Sequence, residues 1–419
     1  MVDGPQTGGQ PGDGEPERGD PTPLLAGLEA LGLDLAQLMH VLQAPGPLNW
    51  IVAERVASSV ATSGETEPEI DPGAEAELQE LVRAAQTQVV AETGLTATFA
   101  APVRTVGRGD WADLQLQALR PVLDAYATAL AGAMGAPGAQ PELPPEMAAM
   151  GMEAFAAVLP KVVALFLGFQ AGSMAGYLAQ HALGRYDLPL PTADEPSLLF
   201  VVSNIDAFEA AWSLERTDLR FYVALHEVVH AAQRSVPWVR ERLVGLATEY
   251  VSSYEIDPEE IESRVGPIDP SDPMSFQRLA EHPEDLLGAM QSDRQREVLA
   301  RARVFHAVLE GYADDVLARI GARLLPSFAR IHEAMQRHRI ERGDAARFIE
   351  SLLGLTLERD DYERGAAFCA GVVERAGTDG LNRLWERAEM APTRNELEAP
   401  GLWLARIELP DSADGGDAT

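Results

Sequence analysis

The stretch FYVALHEVVHAAQ, residues 221–233, decides how the rest of this chain is read. It places HExxH inside a helical pattern. Positions i and i+4 lie one above the other on a helix face, so the imidazoles of His226 and His230 converge on a single cation. Glu227, one residue on, is offset by about a quarter-turn and reaches a water beside that cation without ligating it. The flanks are apolar: Phe221, Tyr222, Val223, Ala224 and Leu225 come before, and Val228, Val229, Ala231 and Ala232 within and after. That pattern predicts a buried helix. Burying two histidines and a carboxylate without a purpose is costly, although two satisfied core histidines are the bland alternative.

Zinc takes a third protein ligand and keeps one position open. A histidine from HExxHxxGxxH is excluded, because Gln233 and Val236 occupy the required glycine and histidine positions. A second helix offers a carboxylate instead. In FHAVLEGYADD, residues 305–315, Glu310 shares a face with Leu299, Ala302, Ala313 and Leu317, an unusual setting for an unpaired carboxylate. Gly311 leaves room beside it for close approach of the HExxH helix. Asp314, at i+4, is placed to accept the distal N–H of a ligating histidine and fix its tautomer. His306, one turn before Glu310, is either a rival ligand or supporting residue, or a half-buried histidine paired with a carboxylate.

These residues resemble the gluzincin pattern of thermolysin-like zinc peptidases, in which HExxH on one helix is followed by a glutamate, with an aspartate four residues later, on another. The resemblance implies Glu310 as third zinc ligand and Asp314 as the residue orienting His226, although 80 residues separate His230 from Glu310. A wider resemblance rests on GYLAQHALGRYDLPLP (176–191), LLFVVSN (198–204), FYVALHEVVHAAQ (221–233), VLEGYADDVL (308–317) and YERGAAFCAGVVERAGTDGLNRLWE (362–386). Together these look like the actinobacterial zincin-like metallopeptidases, once a family of unknown function and associated through genome context with coenzyme F420 biosynthesis. That resemblance implies a zincin-like fold and a Zn²⁺ site more than it implies a reaction.

Helical periodicity runs outward on both sides. It predicts helices over 24–42, 50–62, 73–92, 111–134 (N-capped by Asp110, with a kink or break at Pro121), 146–159 and 161–183. A Pro/Gly-rich break covers 135–145, and a loop with prolines at 189, 191 and 196 covers 186–196. Leu198–Val202 is a short strand candidate. Helices follow over 206–215 and 218–234, where Pro237 stops the second. An acidic segment with five prolines, 257–283, reads as a loop or lid. Further helices are expected over 294–320, ended by Gly321, and over 326–339, 344–353, 362–376 and 380–390. The expected fold class is α+β, mainly α-helical, with a zincin-like core and a few short strands before the HExxH helix. One such domain spans 24–408 between disordered tails at 1–23 and 409–419.

Composition narrows the partners. The chain has 65 acidic against 33 basic residues and a net charge of −32, which argues against nucleic acid and anionic membrane surfaces. Cys369 is the single cysteine, so no intrachain disulfide or cysteine-based metal site forms, which fits a cytoplasmic protein. Residues 162–179 are apolar enough to raise the question of a membrane span. Gln170 and Ser173 interrupt them, however, and their glycines and alanines suit helix–helix contact in a soluble core.

The expected activity is zinc-dependent hydrolysis of a peptide or small amide, with Glu227 as general base. Tyr362 is the preferred oxyanion stabiliser, ahead of Arg359 and Tyr312. Gln233 is either a substrate contact or a polar cap on its helix. His332 and His338, in the arginine-rich RIHEAMQRHRIER, read as a solvated face. The rival readings are a catalytically silent zinc-binding or regulatory protein, and a non-peptidase hydrolase or maturation factor in F420-linked metabolism.

Overall fold

Strong local signals set most of the helices in the computed structural model, which describes residues 44–95, 102–133, 152–187, 197–253, 292–340 and 357–408. Asn49 caps helix α1 (Trp50–Ala61) by accepting the Val52 N–H. Asp71 accepts the Gly73 N–H at 2.9 Å, Pro72 stands in the first turn, and left-handed Gly94 closes helix α2 (Pro72–Thr93). Strand β1 (Val103–Thr105) leads into α3 (Arg108–Ala133), which runs through Pro121 without a break. Helix α4 (Met152–Ala179) likewise continues through Pro160, where two separate helices were expected.

By length and composition, Pro160–Ala179 within α4 could cross a membrane. Its packing accounts for the small residues. Gly168, Gly172 and Gly176 recur every fourth residue, and a Cβ at any of them would strike a carbonyl oxygen of Asn49, Ala53 or Ala57 at the neighbouring helix α1. The two helices therefore meet backbone to backbone.

Strand β2 (Leu198–Phe200) is fully buried and pairs in parallel with β1, Val103 lying opposite Leu198. On its other side Phe200 forms an antiparallel bridge with Gly184, and the Val201 N–H donates to the Leu183 carbonyl at 3.0 Å. This small sheet fixes the backbone of residues 183–186 directly above the HExxH helix. Helices α5 (Val202–Trp212) and α6 (Arg216–Ser235) follow.

Pro237 was expected only to end α6. It also opens α7 (Pro237–Ser252), a helix the sequence reading omitted, because proline in a first helical turn sacrifices no hydrogen bond. A Ser292–Gln295 capping box starts the long α8 (Asp293–Leu324), which continues past Gly321, the expected stop. Helix α9 (Phe328–Ile340) and helix α10 (Arg359–Asn382) come next, the latter kinked at Gly377 with φ 70°. Two short 3₁₀ turns precede α11 (Arg394–Glu398) and α12 (Pro400–Glu408).

The principal packings are α1 on α4, α8 on α10, and α6 between α2 and α8. Gly311 of α8 and Gly365 of α10 meet across their interface, each too close to the other helix's backbone to accept a Cβ. The room expected beside Glu310 therefore serves α10 rather than the HExxH helix. The expected tails, the helices at 24–42 and 344–353, the break at 135–145, most of the 186–196 loop and the 257–283 lid lie outside the described residues.

Candidate metal centre

Helix α6 is buried along almost its whole length, from Leu219 to Arg234 with Phe221 the exception. Its i, i+4 spacing brings the rings of His226 and His230 to a centroid separation of 4.5 Å. Glu310, from the middle of α8, comes to the same place. One ligand atom from each of His226, His230 and Glu310 lies within 4.8 Å of the others. His230 Nε2 lies 3.8 Å from Glu310 Oε1. Donors around a tetrahedral zinc sit about 3.3 Å apart, so modest side-chain adjustment closes the set.

A buried atom left without a partner argues for the metal. His230 Nε2 is buried and has no hydrogen-bond partner among the described residues. The other ring nitrogen is tied down: Nδ1 lies 2.9 Å from Gln233 Oε1, and the Gln233 side-chain amide donates to the Leu309 carbonyl at 2.8 Å. Burial first, then His226, Arg234 and Arg339, push His230 well below its ordinary value. The ring is thus neutral with Nε2 presented for coordination, the state a metal requires.

Glu227 is completely buried, and backbone amides hold it. The Arg185 N–H donates to Oε2 at 2.9 Å, and the Tyr186 N–H to Oε1 at 3.0 Å and Oε2 at 3.1 Å. Only glycine fits at position 184, because a Cβ there would press on the Glu227 carboxyl group. The sheet therefore matters to the site: it pins the segment whose amides orient the carboxylate. Burial raises the Glu227 carboxyl above its ordinary value, opposed by His226 and the Tyr186 amide. His226 Nδ1 lies 3.7 Å from Glu227 Oε1.

Glu310 is oriented by a residue the sequence reading did not single out. Arg339 of α9, buried, donates to Glu310 Oε2 at 3.1 Å and to Asp314 Oδ1 at 2.8 Å. Burial works against the Arg339 charge, but Asp314 and Glu310 outweigh it and hold the guanidinium well above its usual value. Asp314 thus braces Arg339, where it was expected to orient His226. The buried residue orienting a site histidine is Gln233, on His230. Position i+3 on the HExxH helix was the available signal for Gln233. For Arg339 it was the face shared with Ile331, Ala334 and Met335, all buried.

Tyr362 is half-buried, with the Arg339 guanidinium 5.3 Å from its ring centroid. The Tyr312 hydroxyl donates to Asn382 Oδ1 at 2.7 Å and its ring packs edge-on against Trp385, so it serves the α8–α10 interface. Arg359 is exposed. His332 was expected in solvent but lies 2.9 Å from the Tyr222 hydroxyl, and His338 lies 3.5 Å from Asp187. His306 was expected to be half-buried beside a carboxylate. It is buried instead, its Nε2 has no hydrogen-bond partner among the described residues, and burial with the nearby Arg234 charge pushes it down to about 3.

Comparison with known proteins adds two findings. Residues 48–404 match the family model for zincin-like metallopeptidases. A solved structure from Chloroflexus aurantiacus, described as a candidate hydrolase with a novel fold, is similar at a TM-score of 0.59 and 23% sequence identity. The match covers 87% of this chain and 100% of that one, and at that identity it speaks for the fold alone. No curated protein matches.

Proposed function

The chain belongs to the zincin-like metallopeptidase family, and from that premise we propose that it is a zinc-dependent hydrolase cleaving peptide or small amide bonds. The observation that carries this reading is the convergence of His226, His230 and Glu310 around the unpartnered His230 Nε2, with Glu227 buried against the same helix turn. His226, His230 and Glu310 would hold the metal. When bound there, zinc supplies the Lewis acidity that brings water within reach of deprotonation at neutral pH and polarises an amide carbonyl.

The remaining steps fall to the protein. Glu227 takes a proton from the attacking water as its oxygen bonds to the acyl carbon. It passes that proton to the departing nitrogen as the C–N bond breaks. The upward displacement of the Glu227 carboxyl suits this exchange, and the Arg185 and Tyr186 amides hold the carboxylate in place throughout. Arg339 fixes Glu310 by one oxygen and leaves the other facing His230. Tyr362, against Arg339, is the proposed donor to the developing oxyanion.

The test is a peptide mixture incubated with the zinc-loaded chain and read by mass spectrometry. Cleavage is expected, is abolished by a chelator, and returns on adding zinc. Cleavage that persists after the metal has been removed, or a loaded chain that cleaves no peptide or small amide, would contradict the reading.

A further inference from the structure

The contacts between α6 and α8 define a ladder. His230 faces Glu310, and three residues further along α6 Gln233 reaches back to Leu309. As α6 advances, its partners on α8 retreat, so the helices run antiparallel. One turn beyond His230 is Arg234, and one turn before Glu310 is His306. These two form the next rung, about 6 Å along the axis from the metal ligands.

That rung is buried and unmet. Arg234 is 6% exposed and His306 1% exposed. Arg234 Nε and Nη1 and His306 Nε2 have no hydrogen-bond partner among the described residues. Unmet donors on a buried guanidinium are costly, so the arrangement favours an acceptor that arrives from outside. Among the described residues, the carboxylates that act on the Arg234 charge are Glu310 and Glu227. Both are engaged, Glu310 by Arg339 and His230, Glu227 by two backbone amides. The Arg234 guanidinium stacks on the Tyr186 ring, 4.7 Å from its centroid, which fixes its plane beside the residue that positions the general base. His306 is neutral at pH 7 and so adds a hydrogen-bonding nitrogen without repelling Arg234.

We infer that Arg234 and His306 form a carboxylate-binding subsite one helical turn from the metal ligands, and that the substrates are amides whose leaving residue carries a free terminal carboxylate. A fixed, charged guanidinium with unmet N–H donors holds a carboxylate by charge-assisted hydrogen bonds. One residue spans at most about 3.6 Å, so a terminal carboxylate one residue past the scissile bond falls near this rung while the carbonyl lies at the metal ligands. The inference rests on the hydrolase reading proposed above and names its substrate class.

Calorimetric titration of the zinc-loaded full chain with three small probes tests it. Acetohydroxamate reports the metal site alone. Succinate offers a second carboxylate to Arg234, and succinamate replaces that group with a neutral amide. Succinate is expected to bind roughly tenfold or more tightly than succinamate, and Arg234→Met is expected to erase that ratio while acetohydroxamate still binds. Arg234→Lys, which keeps the charge, is expected to preserve part of the ratio. Peptides with free C-termini are expected to lose their last residue, and the same peptides amidated to resist. Equal affinities for the two probes in the unmodified chain, or a ratio that survives in both variants, would overturn the subsite with the metal reading intact. Failure of the zinc-loaded chain to bind acetohydroxamate would overturn the metal reading and this inference with it.

Discussion

Glu227→Gln is expected to leave zinc content unchanged and to lower kcat/KM for any cleaved peptide by about 10²–10⁴-fold or more. The isosteric amide keeps the side chain in the space beside Gly184 but removes the proton acceptor. Because both Glu227 oxygens accept backbone amides, the substitution also turns one N–H toward an NH₂ group. An unmet buried donor of that kind costs about 1–3 kcal/mol, so a lower Tm should accompany an intact far-ultraviolet spectrum. Zinc measured by plasma emission separates lost chemistry from lost metal. A variant with full turnover would remove Glu227 from the mechanism.

Glu310→Ala is the second large effect. It deletes the single carboxylate among the proposed ligands, and the loss of zinc should be read as substoichiometric metal after dialysis against a weak chelator. It also strips Arg339 of one of its two carboxylate partners inside the protein. Breaking a buried pair from one side costs about 3–5 kcal/mol, and the Asp314 contact that remains should keep the loss toward the lower end. Glu310→Gln separates the two roles, because an amide oxygen can still accept from Arg339 while the negative charge on the metal is gone. Unchanged zinc stoichiometry in both variants would place the third ligand elsewhere.

The sequence carried the HExxH helix and its partner because both signals are local. HExxH is a spacing, and Glu310 stands out as a carboxylate on an apolar helical face. What held those residues in place was harder to see. Arg339 sits in an arginine-rich segment that looks solvated, and only folding brings α9 against α8 to give it Glu310 and Asp314. Asp314 was assigned to a histidine because i+4 spacing locates a side chain on a face without saying which helix that face meets. The Gly184–Tyr186 backbone that cradles Glu227 depends on a bridge to Phe200, sixteen positions beyond Gly184, and no motif marks it. Proline misled the helix reading at two points: Pro160 lies within one continuous helix where two were expected, and Pro237, which ends one helix as expected, also starts another.

The central claim is that two imidazoles of α6 and one carboxylate of α8 hold a single zinc ion. Anomalous scattering from crystals of the zinc-loaded protein, recorded on both sides of the zinc edge, tests it most directly. The account predicts one peak at about 2.0–2.2 Å from nitrogens of His226 and His230 and from a Glu310 oxygen. No peak there, or a zinc ion bound by other residues while Glu310 remains only with Arg339, would contradict it.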